Sequence, residues 1–494
     1  MKKFKLLALV LALAMIVGLF AGCASGNKDT DTTTKGNDTT AADTKGEEGG
    51  DTPAAGVHFT MDGLPTADKT EELARYAARQ ADYEEKTGNT YELVTFTYDY
   101  QTAAAMVEGG NLPTNFLVAN TEPQVLIANG WCKDITDIVK EYGWDQCWND
   151  SLRELVSDKD GRIYGIPNST YALSLVCNKD VFRQAGLVDA EDHIIYPKTW
   201  DELIETARTI TEKTSAKGFS FTICDNQGGW NFSNVAWNYG ADLCTANDDG
   251  SYTSNLNSEA VVNAAKVYQT LAAEGLLYGD PLFDTRDACY TNVSEGLAAM
   301  CFGATDTPFV ITKIDGNQKM PIENLALIPV PAGPAADYWL MGGDCRWFAP
   351  NATDEQVRAW FEYRSLYGST PNISDEQKAA MDEDAANKTG DEYKSIYING
   401  AMNIYKSGDY FDAQMATIEK YKNFDWADYP TFEYTKNHPG HAEEEGQCQA
   451  MYATLTSALQ AIIENPTTVD VQAVMDEAQS TYQSILDTAF AVSQ

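Results

Sequence analysis

Four histidines (His58, His193, His438, His441) and ten cysteines are all this sequence offers for transition-metal or thiol chemistry. No Cys-x-x-Cys pair is present, which leaves a zinc ribbon or a thioredoxin-type site without support. His438-Pro-Gly-His441, followed by Glu443, Glu444 and Glu445, has the composition of a metal set. Pro and Gly break the helix that would align two ligands three residues apart, so the segment reads as a polar loop and no metal is assigned. Asp158-Lys-Asp-Gly161 and Asn247-Asp-Asp-Gly250 are turns without calcium-loop spacing. A nucleophile elbow, a phosphate-binding Gly-rich loop and a dinucleotide turn are all missing. Among 73 acidic residues a pair for glycan cleavage could always be named, so that signal has no specificity. Trp230 is more informative. It stands in Gly228-Gly-Trp-Asn-Phe232 among glycines and polar residues instead of on an apolar face, as a stacking plane for a ligand would. Trp200 opens a capped helix and reads as packing, while Trp237 and Trp339 fit either role.

The charge balance, 35 basic against 73 acidic side chains, gives −38 and excludes polyanionic partners such as nucleic acid. At the N-terminus Lys2, Lys3 and Lys5 precede an apolar run from Leu6 to Ala21, too short to span a bilayer comfortably and suited to an export signal. Leu19-Phe-Ala-Gly-Cys23 resembles a bacterial lipobox, with Phe20 in place of the usual aliphatic residue, which makes Cys23 the lipidated first residue of the mature chain. Residues 24–56 contain no Leu, Ile, Val, Met or aromatic side chain, so they read as a disordered tether with a reach on the order of 30 Å. Nine cysteines remain after Cys23, scattered like small core residues, and are expected mostly as free thiols.

A binding plane needs elements to hold it. From Val57 the pattern alternates between strand and helix: Val57, Phe59 and Met61 with period two; Asp68 to Lys86 with helical period; Tyr91 to Tyr98 as strand; Ala103 to Glu108 as helix; Phe116 to Ala119 as strand. This predicts α/β layers around a largely parallel sheet, with ligands outside the carboxyl ends of strands. Asp62 to Thr66 and Asn120 to Glu122 are candidates on that ground. Thr199 and Glu202 form a capping box before the stripe Leu203, Ile204, Ala207 and Ile210, with Gly218 as the expected stop. Two further amphipathic helices are predicted, from Ser258 to Gly275 and from Val471 to Ala489.

Arg162-Ile-Tyr-Gly-Ile-Pro167, Ala172-Leu-Ser-Leu-Val-Cys-Asn-Lys-Asp180 and Pro197-Lys-Thr-Trp-Asp-Glu-Leu203 occur in order with Gly109-Gly-Asn-Leu-Pro113, Glu295-Gly-Leu-Ala-Ala-Met300 and Ile328-Pro-Val-Pro-Ala-Gly-Pro334. In these blocks the chain resembles the extracellular solute-binding proteins of bacterial ABC importers, in the maltose-binding, carbohydrate-type cluster. The resemblance covers most of 57–370. It implies a two-lobed periplasmic-binding-protein-like (Venus flytrap) α/β fold with a hinge, with 57–170 and 322–375 in lobe 1 and 171–321 and 376–494 in lobe 2.

It also implies the ligand contacts. Trp230 falls where relatives place an aromatic on the sugar. Tyr171 stands where they have an acidic contact, and Glu122 or Thr121 where they have another. Asp62 ends the first strand, Asn120 adjoins Glu122, and Asp306 and Asp344 follow glycine turns that open on the cleft. Thr305 occupies the region where relatives often carry a Trp, and Gly228 stands where maltose-binding relatives offer a carboxylate, so the ligand is expected to differ from maltose. The implied protein is a monomeric, lipid-anchored receptor on the extracellular face of the cell membrane. It has no cofactor and no catalytic residues, and it delivers a carbohydrate to the permease subunits. A secreted glycan-acting enzyme, the same fold binding a non-sugar solute, and an adhesion or sensory lipoprotein are the alternatives.

Overall fold

Period-two alternation buries Phe59 and Met61 in β1 (His58–Asp62), which pairs in parallel with β2 (Thr90–Val94) and β3 (Asn115–Ala119). The computed structural model describes residues 56–99, 102–313, 319–391 and 394–490. The expected export signal, Cys23 and all but the last residue of the tether lie outside the described residues. The helix Thr70–Thr87 joins the first two strands and stops at Gly88, whose φ of 73° suits a residue without a Cβ. Farther along come β4 (Gly165–Asn178), β5 (Lys217–Ser220), the hairpin β6 (Cys244–Ala246) and β7 (Tyr252–Ser254), β8 (Ala298–Ala304), β9 (Leu325–Pro329), β10 (Trp339–Phe348) and β11 (Gly440–His441).

The main sheet runs β2-β1-β3-β10-β4-β8-β5, with β11 on β10 and β9 on β4. It is mixed, which corrects the expectation of a largely parallel sheet. β10 is antiparallel to β3 and β4, and β4 is antiparallel to β8 and β9. The reason lies in two long strands that pass from one half of the molecule to the other, instead of returning through a helix as a parallel neighbour must.

Two large hydrophobic cores flank these strands. The first gathers Phe59, Tyr91, Phe116, Trp148, Trp347 and Trp360; the second gathers Phe182, Trp200, Phe232, Tyr268, Met451 and Tyr482. The division falls between neighbours on β4, for Ala172 packs in the first and Leu173 in the second. The expected lobe limits shift in two places. β9 pairs with Ser174–Asn178 of β4 and packs with the second half, although 322–375 was assigned to the first. Ile404 and Tyr405 pack in the first core, with Asn149 N donating to Ile404 O at 3.0 Å, although 376–494 was assigned to the second.

The helix Trp200–Lys213 buries its predicted stripe, and Thr199 Oγ1 accepts from Glu202 N at 3.2 Å. The return bond goes from Lys198 N to Glu202, one residue earlier than in a capping box. Gly218 lies beyond the helix end, inside β5, where a Cβ would come within 2.3 Å of Ala207. The nine cysteines from Cys132 to Cys448 are all free, seven of them buried. No helix among the described residues is long and apolar enough to cross a membrane.

Candidate functional site

A cavity of about 370 Å³ opens where the two cores meet at β4, with Tyr171 and Leu173 on its wall. That volume lies within the range of small-molecule sites. Thr121 and Gly343 line it from the first half and Trp230, Tyr290 and Asp306 from the second, while Glu443 and Tyr452 arrive from the C-terminal segment. Three parts of the chain distant in sequence therefore share one site.

Trp230 is placed by its glycines. The helix Gln227–Asn238 packs so closely on the helix Cys448–Glu464 that a Cβ on Gly229 would stand 2.2 Å from Tyr452 O, and one on Gly228 would stand 2.9 Å from Ile223. Gly229 N also donates to Thr456 Oγ1 at 2.9 Å. This approach leaves the Trp230 indole half-buried at the cavity, 6.3 Å centre to centre from the Tyr171 ring and edge-on to it. Its Nε1 donates to Glu443 Oε1 at 2.8 Å, and Tyr452 OH donates to the same oxygen at 2.9 Å. About two turns farther along the helix that carries Trp230, Trp237 Nε1 donates to Oε1 of Glu444, the residue after Glu443, at 2.7 Å while His441 stacks on the Trp237 indole at 3.9 Å.

Burial dominates the electrostatics. It pushes the Glu443 carboxyl up to about 7; the bonds from Tyr452 and Trp230 oppose the rise, and the charge of Glu122 adds to it. Glu444 is likewise pushed up to about 7 by burial, against the bond from Trp237. Asp306 is raised by burial and held back by Arg286, which lines the same cavity. Burial carries the Tyr171 hydroxyl up to about 12, with the charges of Glu443, Asp306 and Asp344 adding to it. The cavity can thus offer stacking planes, carboxylates and amides to a polar ligand with apolar faces.

Residues 66–363 match the family model described as bacterial extracellular solute-binding protein. The chain belongs to that family. This solute-binding protein is 24% identical over 272 residues to a putative binding protein of Brucella abortus, a match covering 53% of this chain and 62% of that one. It is 27% identical over 273 residues to the diacetylchitobiose-binding protein of Streptomyces coelicolor, covering 55% of this chain and 57% of that protein. The chain therefore spans about six tenths of the length of the curated relatives it matches. In fold it is similar to an ABC transporter solute-binding protein of Thermotoga lettingae bound with α-D-tagatose, at a TM-score of 0.60 and 18% identity over 88% of this chain and all of that one. The architecture is that of the two-lobed periplasmic binding proteins.

Of the solute-binding protein's predicted contacts, Tyr171, Trp230 and Asp306 come together on the cavity wall. Asp62 does not. It is buried, pairs with the Arg346 guanidinium and accepts from Leu117 N at 3.0 Å, because β10 lays Arg346 across the end of β1. Thr305 is buried behind the wall, exchanging bonds with Ala172 at 3.1 Å each way, and thereby extends the β4–β8 ladder. Asn120 accepts from Cys345 Sγ at 3.3 Å and is also buried. Asp344 accepts from Asn168 Nδ2 at 2.8 Å, beside the bulge where its neighbour Gly343 takes a φ of 138° and lines the cavity. Glu122 is buried next to the lining residue Thr121, and burial raises its carboxyl.

Gly228 owes its position to the packing on Ile223. Trp200 and Trp237 are buried, and Trp339 Nε1 donates to His438 O at 2.9 Å. Glu443, Asn231 and Tyr452 were missed. The acidic run 443–445 was the only visible signal, and it could not reveal a bond to a Trp 213 residues away. Among the described residues no group of three or more His, Cys, Asp or Glu could hold a metal ion. His438 instead stacks on Tyr434 at 3.7 Å.

Proposed function

We propose that this solute-binding protein captures a carbohydrate, of oligosaccharide size, in the cavity and delivers it to the membrane subunits of an ABC importer, without chemical change to the ligand. The observation that carries the reading is the half-buried Trp230 plane, set against Tyr171 and ringed by amides and carboxylates. Sugars present apolar ring faces with hydroxyl rims, and this is the matching set of groups. The saccharides named for the Streptomyces and Thermotoga relatives support the same class. Two lobes closing on a ligand held by both would give the permease a distinguishable loaded form.

Calorimetry of the full chain against a panel of oligosaccharides and glycosides is the test. Binding of at least one saccharide is expected, with no product formed on prolonged incubation. Tight binding of another solute class alone would remove the carbohydrate part and leave family membership intact. The proposal includes lipid attachment at Cys23 and a monomeric state. Mass spectrometry of the mature N-terminus should find an acylated Cys23, and light scattering should give the mass of one chain.

A further inference from the structure

The groups that line the cavity are unbalanced in charge. Asp225 and Glu443 share the wall with a single guanidinium, that of Arg286, which also acts on Asp306. Glu443 is the telling member. Both of its protein partners, Trp230 and Tyr452, are neutral donors, both bond to Oε1, and Oε2 has no hydrogen-bond partner among the described residues. A carboxylate withdrawn from water without a cation is costly, and it is relieved either by taking up a proton or by meeting a positive charge. The rise of Glu443 to about 7 is the first of these responses.

A second observation points the same way. Asn231, next to Trp230 and 3% exposed, lines the cavity with its Oδ1 unpartnered among the described residues. A buried acceptor of this kind calls for a donor. The wall also carries the Trp230, Tyr171 and Tyr452 rings, whose faces attract cations.

We propose that the ligand carries a protonated amine, received in the cavity by Glu443 and Asn231, so that the solute is an amino sugar oligosaccharide with free amines instead of a neutral or N-acetylated one. The saccharide part rests on the function proposed above; the amine part rests on the charge and acceptor excess alone. Seating the amine displaces the proton from Glu443 and supplies the donor that Asn231 lacks.

Calorimetry of the full chain at pH 7 tests this with four probes: a glucosamine disaccharide with free amines, its N,N′-diacetyl form, a neutral glucose disaccharide of the same linkage, and a short linear polyamine. The free-amine disaccharide is expected to bind at least about tenfold more tightly than the other two sugars. Glu443→Gln, which keeps an acceptor for Trp230 and Tyr452, should bring the three sugars to within about twofold of one another. Equal or tighter binding of the acetylated or neutral sugar, or a preference that survives Glu443→Gln, overturns the amine and leaves the carbohydrate reading standing. Tight binding of the polyamine with no sugar bound supports the amine and overturns the carbohydrate reading. Silence from all four overturns the amine and leaves the carbohydrate reading to the wider saccharide panel. The panel on the unsubstituted chain decides by itself should the variant fail to fold.

Discussion

Trp230 is gripped by Glu443 at its nitrogen and packs with one side against the second core, while its ring stays half-buried at the cavity, where it can meet a ligand. Trp230→Ala should therefore weaken saccharide binding about tenfold or more and also lower the ligand-free melting temperature, because it removes packing from the second core and a donor from Glu443; Trp230→Phe, which keeps most of the packing, should separate the two effects in calorimetry and thermal unfolding. Asp62 is expected to act on stability alone. Asp62→Asn leaves the Arg346 guanidinium, only 19% exposed, without its ionic partner, at a cost of about 3 kcal/mol of stability in urea titration, and the folded fraction should bind ligand as before. The paired carboxyls add a pH effect. Glu443 and Glu444 sit near 7 when folded against an ordinary value of 4.5, so the folded chain binds more protons than the unfolded one between those limits. Their contribution is complete below about 4.5 and is lost as the pH rises through about 7, at up to about 1.4 kcal/mol per unit for each group. Ligand-free melting temperatures should fall from pH 5 to pH 8, and the Glu443→Gln, Glu444→Gln double variant should flatten that slope.

Helix contact, more than any single side chain, decides where the stacking plane lies. The helix Gln227–Asn238 approaches the helix Cys448–Glu464 through Gly229, and its neighbour Gly228 packs on Ile223. Gly229→Ala must push the helices apart, an overpacking that costs about 1–3 kcal/mol. It should lower ligand affinity as well, although residue 229 is not on the cavity wall, because Trp230 moves with its helix; urea titration and calorimetry on the same sample check both effects. The strand and helix pattern from His58 to Ala119 was legible in the sequence because period and apolar spacing are local properties. Strand direction was not. Whether β10 runs with or against β4 depends on how 339–348 returns to 165–178, and no window of the sequence contains both.

At the scale of the molecule, β4 and β10 connect the two cores, and the cavity lies on that connection. Ligand should stabilise the whole, by about 2.7 kcal/mol at a hundredfold excess over Kd, with the melting temperature following ligand concentration. X-ray scattering should show a smaller radius of gyration on saturation, as closure of two halves requires. The sequence alone determined the class of molecule. Ordered motif blocks carried the family, the acid excess excluded polyanions, and Trp230 among glycines and polar residues announced a stacking plane. Those signals are local or compositional, so they survive without coordinates. Tertiary structure decided which acids serve the site and which serve the fold. Asp62 went to Arg346, and Glu443, from a run read as a polar loop, went to Trp230. An acid's role is set by what is packed against it, and both partners come from parts of the chain more than two hundred residues distant.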